Sequence, residues 1–399
     1  MTAVEIDGDR LLADLEELSA IGRCGRGVHR VAYSPDDVRA REWVAGRMRD
    51  AGLEPVIDGV GNVLGRAPGA RAVLAGSHVD SVPRGGRLDG ALGVVAALEA
   101  ARALGGGVDV VSFADEEGTF TGTLGSRAFC GELPEAERAR LVAADGRRFD
   151  EALAGTGWAG RPLVRLDPSR HVAFVELHIE QGPVLEAGPE RLGVVTGIVG
   201  IRRLRVTFRG RADHAGTTPT ALRRDAGAAA LRYGTAFLDA IARHGGPDTV
   251  CNVGAIRLEP GAGNIVPERA ELLVEFRDLS AERLAALDEV VAGLAAPIAR
   301  DARVEEEVEQ VIHQDGVAMD RGVIEALERG ARACGAPARR MPSGAGHDAM
   351  IVGRHIPAGM LFAPSIGGRS HSEEEDTAPE DLVLAARALA TAIAELAPA

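Results

Sequence analysis

Short apolar runs alternate with amphipathic stretches through the first 200 residues. Leu11, Leu12, Leu15 and Leu18 fall on one helical face, and residues 39–50 read as a second amphipathic helix. Residues 72–75, 108–113 and 172–177 read as buried strands, and residues 93–104 as a small-residue helix. This alternation predicts an α/β fold, a mixed and mostly parallel sheet with helices on both faces. Three strands then carry Gly76-Ser77-His78, Glu116-Glu117 and His178 to their C-terminal ends. That edge is where open α/β sheets build their sites.

The pattern changes near Gly200. Leu204, Val206 and Phe208 alternate with Arg205, Thr207 and Arg209, as in a strand with one wet face. A helix over residues 220–244, strands over 249–258 and 270–276, and a helix opening at Ser280 are expected to follow. This order predicts a small α+β sandwich inserted into the larger domain. The expected boundaries are 1–200 with 313–399 for the main domain and 201–312 for the insert. Thr377 and Glu380 are spaced for a capping box ahead of the last helix.

A chain of 399 residues is long enough for two cores. A net charge of −14 argues against nucleic acid or an anionic membrane as partner. No stretch approaches the roughly 20 apolar residues that span a bilayer. The first ten residues are polar and acidic, unlike a secretory signal, so a cytoplasmic location is expected. Cys24, Cys130, Cys251 and Cys334 stand far apart, which offers neither a thiolate metal site nor a disulfide framework. All 45 basic residues are arginine. The absence of lysine excludes Schiff-base chemistry, a P-loop lysine and a lysine-derived metal bridge.

The chemistry concentrates in acidic and imidazole side chains. Glu116 and Glu117 are adjacent carboxylates at a strand end, and their repulsion calls for positive charge nearby. His78, Asp89, His178 and His371, in glycine-rich or strand-end settings, are candidate ligands for a cation that supplies it. One glutamate of the pair then holds a cation and the other moves a proton. Asp80 is placed to hold the far imidazole nitrogen of His78. Singly, each has an ordinary alternative: Asp89 as a helix cap, the glutamates as a solvated strand end, His178 as a core histidine, His371 as a loop histidine beside an acidic run. Together, at the strand ends and glycine corners of one domain, they read as a metal-dependent hydrolase.

Six stretches carry a resemblance: residues 76–93 (GSHVDSVPRGGRLDGALG), 114–118 (ADEEG), 178–183 (HIEQGP), 213–219 (DHAGTTP), 343–349 (SGAGHDA) and 367–377 (GGRSHSEEEDT). In this order they resemble the M20 family of dinuclear metallohydrolases. HIEQGP and SGAGHDA point to its amidase branch, which holds N-carbamoyl-L-amino acid hydrolases, allantoate and ureidoglycolate amidohydrolases and β-ureidopropionases.

The resemblance implies a zinc-peptidase-like catalytic domain with an inserted lid and dimerisation domain. It implies that Asp89 bridges two divalent ions, with His78 and His178 on one and Glu117 and His371 on the other. Ligand type admits zinc, manganese or cobalt. Glu116 would be the catalytic base, with Asp80 in support. Gln181, His214, Asn264 and Arg277 would bind a small ureido substrate, helped by the backbone of Gly344, Ala345 and Gly346. Arg277 suits a carboxylate, although pairing with Asp278 is its ordinary alternative. His347 is a weaker candidate for support. A homodimer is implied, with His214 entering the partner's site to stabilise the oxyanion. His29, His171, His244, His313 and His355 are expected to be surface or core residues.

Three departures bear on the substrate: Thr119-Phe120-Thr121 after Gly118, Thr220 where methionine is usual, and Ser372-Glu373-Glu374 where proline is common. The expected activity is hydrolysis of a linear ureido C–N bond. Within the same fold the alternative is an aminoacylase or dipeptidase. Outside enzymes it is a non-catalytic metal-binding paralogue, which the presence of Glu116 and all five ligands disfavours.

Overall fold

The computed structural model describes residues 2–397. The chain divides into two compact units, Met1–Gly197 with Ala318–Ala399, and Ile198–Val317.

Among the described residues the first unit contains a nine-stranded mixed sheet. Its centre is parallel, in the order Ala358–Ala363, His171–Ile179, Ala72–His78, Val108–Phe113. Val63–Arg66 and Glu54–Ile57 extend it antiparallel beyond Phe113's strand. Ala72–His78, Val108–Phe113 and Ala358–Ala363 are buried at every residue. A strand covered on both faces needs no polar alternation, which is why these show none. Gly76 lets two of them approach closely: a Cβ there would stand 1.9 Å from the Val111 carbonyl oxygen. Register pairs His78 with Phe113 and His178 with Phe362, so the strands end together.

The helix Ala91–Leu104 packs on Ala72–His78 and Val108–Phe113, and Pro35–Asp50 on Glu54–Ile57 and Val63–Arg66. Pro35–Asp50 starts earlier than its apolar pattern predicts because Ser34 caps it, accepting the Asp37 N–H at 3.2 Å. In Gly8–Ala20, Leu11, Leu15 and Leu18 are buried and Leu12 sits at the edge of that face. The last helix, Pro379–Leu396, lacks the expected capping box. Ala378 is its cap residue, and the Thr377 hydroxyl donates instead to the Pro364 carbonyl at 2.7 Å.

The second unit is a four-stranded antiparallel sheet in the order Val250–Glu259, Arg269–Asp278, Gly200–Arg209, Glu305–Gln314. Helices Ala226–His244, Ala281–Gly293 and Ala295–Ala302 enclose with it a core that includes Leu204, Val206, Phe208, Tyr233, Phe237 and Phe276. The first helix begins at Ala226, not Thr220, because Asp225 caps it through the Ala228 N–H. Thr220–Leu222 forms a short 3-10 turn before it. On strands Gly200–Arg209, Arg269–Asp278 and Glu305–Gln314, arginines and glutamates form a ladder, with Arg205 on Glu309 at 2.5 Å, Arg209 on Glu307 at 3.4 Å and Arg203 on Glu275 at 2.7 Å. Among the described residues no helix is long and apolar enough to cross a membrane.

Candidate active site

His78 closes its strand, and its Nδ1 donates to the Asp80 backbone carbonyl at 3.0 Å. A carbonyl only accepts, so Nδ1 carries the proton and Nε2 faces Asp89 Oδ1 at 3.5 Å. His178 repeats the arrangement. Its Nδ1 donates to the Ile179 carbonyl at 2.9 Å, and its Nε2 lies 3.1 Å from the same Asp89 oxygen. Two imidazole lone pairs thus converge on a carboxylate, an arrangement that a cation between them relieves.

The other Asp89 oxygen serves a second group. His371 Nε2 lies 3.5 Å from Asp89 Oδ2 and 3.4 Å from Glu117 Oε2. In each group, His78–Asp89–His178 and Asp89–Glu117–His371, the donor atoms lie within 4.8 Å of one another. Nitrogen and carboxylate donors in two sets sharing one aspartate fit a pair of divalent cations. Asp89 is not a helix cap: that position is Gly90. With φ of 65°, Gly90 also lies so close to His78 that a Cβ would meet the ring at 2.4 Å.

Glu116 Oε2 lies 3.6 Å from His78 Nε2, with its side chain 11% exposed. Burial pushes Glu116 well above the ordinary carboxylate range, with Asp348, Glu117 and Asp89 adding to the effect against His78. Burial and Asp89 push Glu117 up to about 8. Burial opposes the charge on His78, but Glu116, Asp89 and Asp80 outweigh it and raise its pKa. His178 and His78 hold Asp89 well below the usual carboxylate value against its burial.

The Asp80 side chain does not hold His78. Its Oδ1 lies 4.0 Å from His78 Nδ1, whose proton already goes to the Asp80 main-chain oxygen. The carboxylate instead accepts from Arg41 Nη2 at 3.1 Å and from the Glu117 N–H at 3.2 Å. Gln181 reaches the centre, donating to Asp89 Oδ2 at 2.8 Å, and its buried Oε1 has no hydrogen-bond partner among the described residues. His347 is buried with its ring centroid 4.5 Å from that of His178, and its Nε2 lies 2.9 Å from Ser343 Oγ. The Ser343 hydroxyl also ties back the Gly344–Ala345 turn through the Ala345 carbonyl at 2.9 Å, while Gly344 and Gly346 are exposed.

In the second unit, His214 and Asn264 are exposed on adjoining loops, joined where the Ala215 N–H donates to the Asn264 carbonyl at 2.9 Å. His214 Nδ1 accepts the Gly216 N–H at 3.0 Å. Arg277 pairs with Glu275 at 2.7 Å, whereas Asp278 takes Arg283 at 3.0 Å. Of the histidines set aside, His171 is buried against Asp109 at 3.2 Å and His355 pairs with Glu132 at 2.8 Å.

A family profile described as Peptidase family M20/M25/M40 matches residues 74–395. The chain belongs to this family. An N-carbamoyl-L-amino-acid amidohydrolase of Paenarthrobacter aurescens is 37% identical over 96% of each chain. A ureidoglycolate hydrolase of Oryza sativa subsp. japonica is 36% identical over 98% of this chain and 85% of its own. The crystal structure of an amidase of the hydantoinase/carbamoylase family from Burkholderia phymatum superposes with a TM-score of 0.94, at 44% identity over 100% of this chain and 99% of that one. These likenesses place the chain in the amidase branch of the M20 family, as a hydrolase of non-peptide C–N bonds.

Three residues of this M20 centre escaped the motif reading. Glu375 is buried, and its Oε1 accepts the Leu88 and Asp89 N–H groups at 3.0 Å each while its Oε2 accepts Ser370 Oγ at 2.9 Å. It therefore fixes Asp89 and the loop that carries His371. Its only signal was its place in the acidic run after His371. Glu176 joins the strand end to the helix Asp348–Val352, accepting Ser77 Oγ at 2.6 Å and the Ala349 N–H at 2.9 Å. Asp115 gathers the N–H groups of Thr119, Phe120 and Thr121 at 2.6, 2.9 and 3.3 Å, setting the loop after the glutamates.

Proposed function

We propose that the chain hydrolyses the C–N bond of a linear ureido group on a carboxylate-bearing substrate, such as an N-carbamoyl-L-amino acid or allantoate. The observation that carries this reading is the unpartnered Oε1 of Gln181, a buried acceptor at the Asp89 centre suited to a ureido N–H. The relatives' names point the same way.

His78, Asp89 and His178 would hold one cation, and Asp89, Glu117 and His371 the other, as zinc, manganese or cobalt. When bound, such ions polarise a carbonyl and lower the pKa of water. Glu116 takes the proton from the attacking water and returns it to the leaving nitrogen. The products are ammonia, carbon dioxide and the freed amine. Arg277 as carboxylate clamp, His214 and Asn264 as substrate residues, the Gly344–Gly346 backbone as a further contact, and a homodimer with His214 serving the partner's site rest on the resemblance.

The test is ammonia release from manganese- or zinc-loaded protein on N-carbamoyl-L-amino acids, N-carbamoyl-β-alanine, allantoate and ureidoglycolate, beside an N-acetyl amino acid and a dipeptide assayed for free amine. Turnover of a ureido compound supports the reading. Turnover of the acyl compound or dipeptide alone replaces it with the aminoacylase or dipeptidase alternative.

A further inference from the structure

A cavity of about 460 Å³ in the first unit shares a wall with the metal centre, because Glu117 lines both. Its size lies within the range of small-molecule sites, roughly 300–1,000 Å³. Val31, Val82, Pro83, Ala143 and Ala144 supply most of its apolar surface, with the polar side chains of His29, Ser34, Ser81 and Thr119 beside them. The wall is anchored at two places: the Val82 N–H donates to Glu117 Oε1 at 3.3 Å, and Asp115 gathers the loop that includes Thr119. Charges at the rim are already matched, since Arg147 pairs with Asp145 at 2.7 Å. His29 Nδ1 accepts the Arg84 N–H at 3.3 Å.

We propose that this cavity receives an apolar side chain of the substrate, so that the preferred substrates are N-carbamoyl-L-amino acids with aliphatic side chains. The inference rests on the ureido reading above and narrows it. A second ureido group, as in allantoate, would set amide groups against the apolar side chains of Val31, Val82 and Ala143 and must turn to Ser34, Ser81 or Thr119 for partners. A leucine-sized side chain would gain by leaving water. N-carbamoylglycine would leave the cavity to solvent.

The experiment compares kcat/KM for N-carbamoyl-L-leucine, N-carbamoylglycine and allantoate on the manganese-loaded wild type and on Ala144→Trp. Ala144 is exposed and outside both ligand groups, so the indole fills the cavity without disturbing the core. Calorimetric binding of the two carbamoyl compounds to metal-free protein gives a readout independent of turnover. The wild type is expected to favour the leucine compound over the glycine compound by about tenfold or more in both measurements. Ala144→Trp is expected to remove that preference by bringing kcat/KM for the leucine compound down to the level of the glycine compound or below. Ureido turnover without a leucine preference, a preference for allantoate, or a variant that slows both carbamoyl compounds equally overturns the cavity assignment alone. Absence of turnover on every ureido compound overturns it together with the reading beneath it.

Discussion

Arg41 donates through Nη2 to the Asp80 carboxylate at 3.1 Å, and neither side chain reaches solvent. The other Asp80 oxygen accepts the Glu117 N–H at 3.2 Å, so a guanidinium on the helix Pro35–Asp50 is tied to the main chain of a glutamate in one of the two candidate ligand groups. Burial works against the charge on Arg41, but Asp37 and Asp80 outweigh it. Replacing Arg41 with methionine leaves both aspartates buried without their cation. The expected cost is about 3–5 kcal/mol of folding stability, read from urea unfolding. An unfolding midpoint equal to that of wild type would show that the pair is not what holds this corner.

Glu116→Gln retains shape and removes the proposed base. kcat is expected to fall by roughly 10²–10⁴ while metal content, measured by elemental analysis, stays at the wild-type value. Full activity with metal bound would remove Glu116 from the proton-transfer role.

Glu375→Ala removes the acceptor of the Leu88 and Asp89 N–H groups without touching a metal ligand. Metal affinity is expected to weaken by roughly 10–100-fold, as for other partners that orient ligands. Competition with a chelating dye measures it, and an unchanged dissociation constant would reduce Glu375 to a loop anchor.

The metal-free protein should lose stability as pH rises. Glu117 and Asp348 are both pushed to about 8 when folded, Glu117 by burial and Asp89, Asp348 by burial and Glu176. In the unfolded chain they titrate near about 4. Between those values the folded state binds more protons, so stability falls with pH at up to about 1.4 kcal/mol per pH unit for each group. Melting temperatures of chelator-treated protein from pH 5 to pH 8 check the sign. A rise over that interval would contradict it.

Arg277→Ala, made on the substrate that turnover identifies, is expected to raise KM by the equivalent of about 1.5–3 kcal/mol. Equal KM values for variant and wild type would dismiss the carboxylate clamp.

The strand ends were legible because fully covered parallel strands leave an unmistakable mark. Residues 72–75, 108–113 and 172–177 have no regular polar alternation, and an imidazole or carboxylate follows within three residues of each. Glu305–Gln314 was missed because four of its first five residues are glutamate, a composition that opposes strand formation until the neighbouring strand's Arg205 and Arg209 are known. The Asp80 reading gave the residue that meets the far nitrogen of His78 but not the atom, for a related reason. Spacing put it two residues from His78, but the choice between its main-chain and side-chain oxygens depended on Arg41, 39 positions away. Glu375 was hidden in an acidic run, because a buried carboxylate that accepts two N–H groups looks in sequence like a solvated one.

The two ligand groups differ in how they meet solvent. His78 and His178 are each 1% exposed, whereas His371 is 53% exposed on a loop with φ of 52°. Asp89 belongs to both. A cation held by Asp89, Glu117 and His371 would therefore be the more accessible of the two to a chelator. Were two cations held here, the outer would exchange before the inner, and the metal content would depend on how the protein is handled.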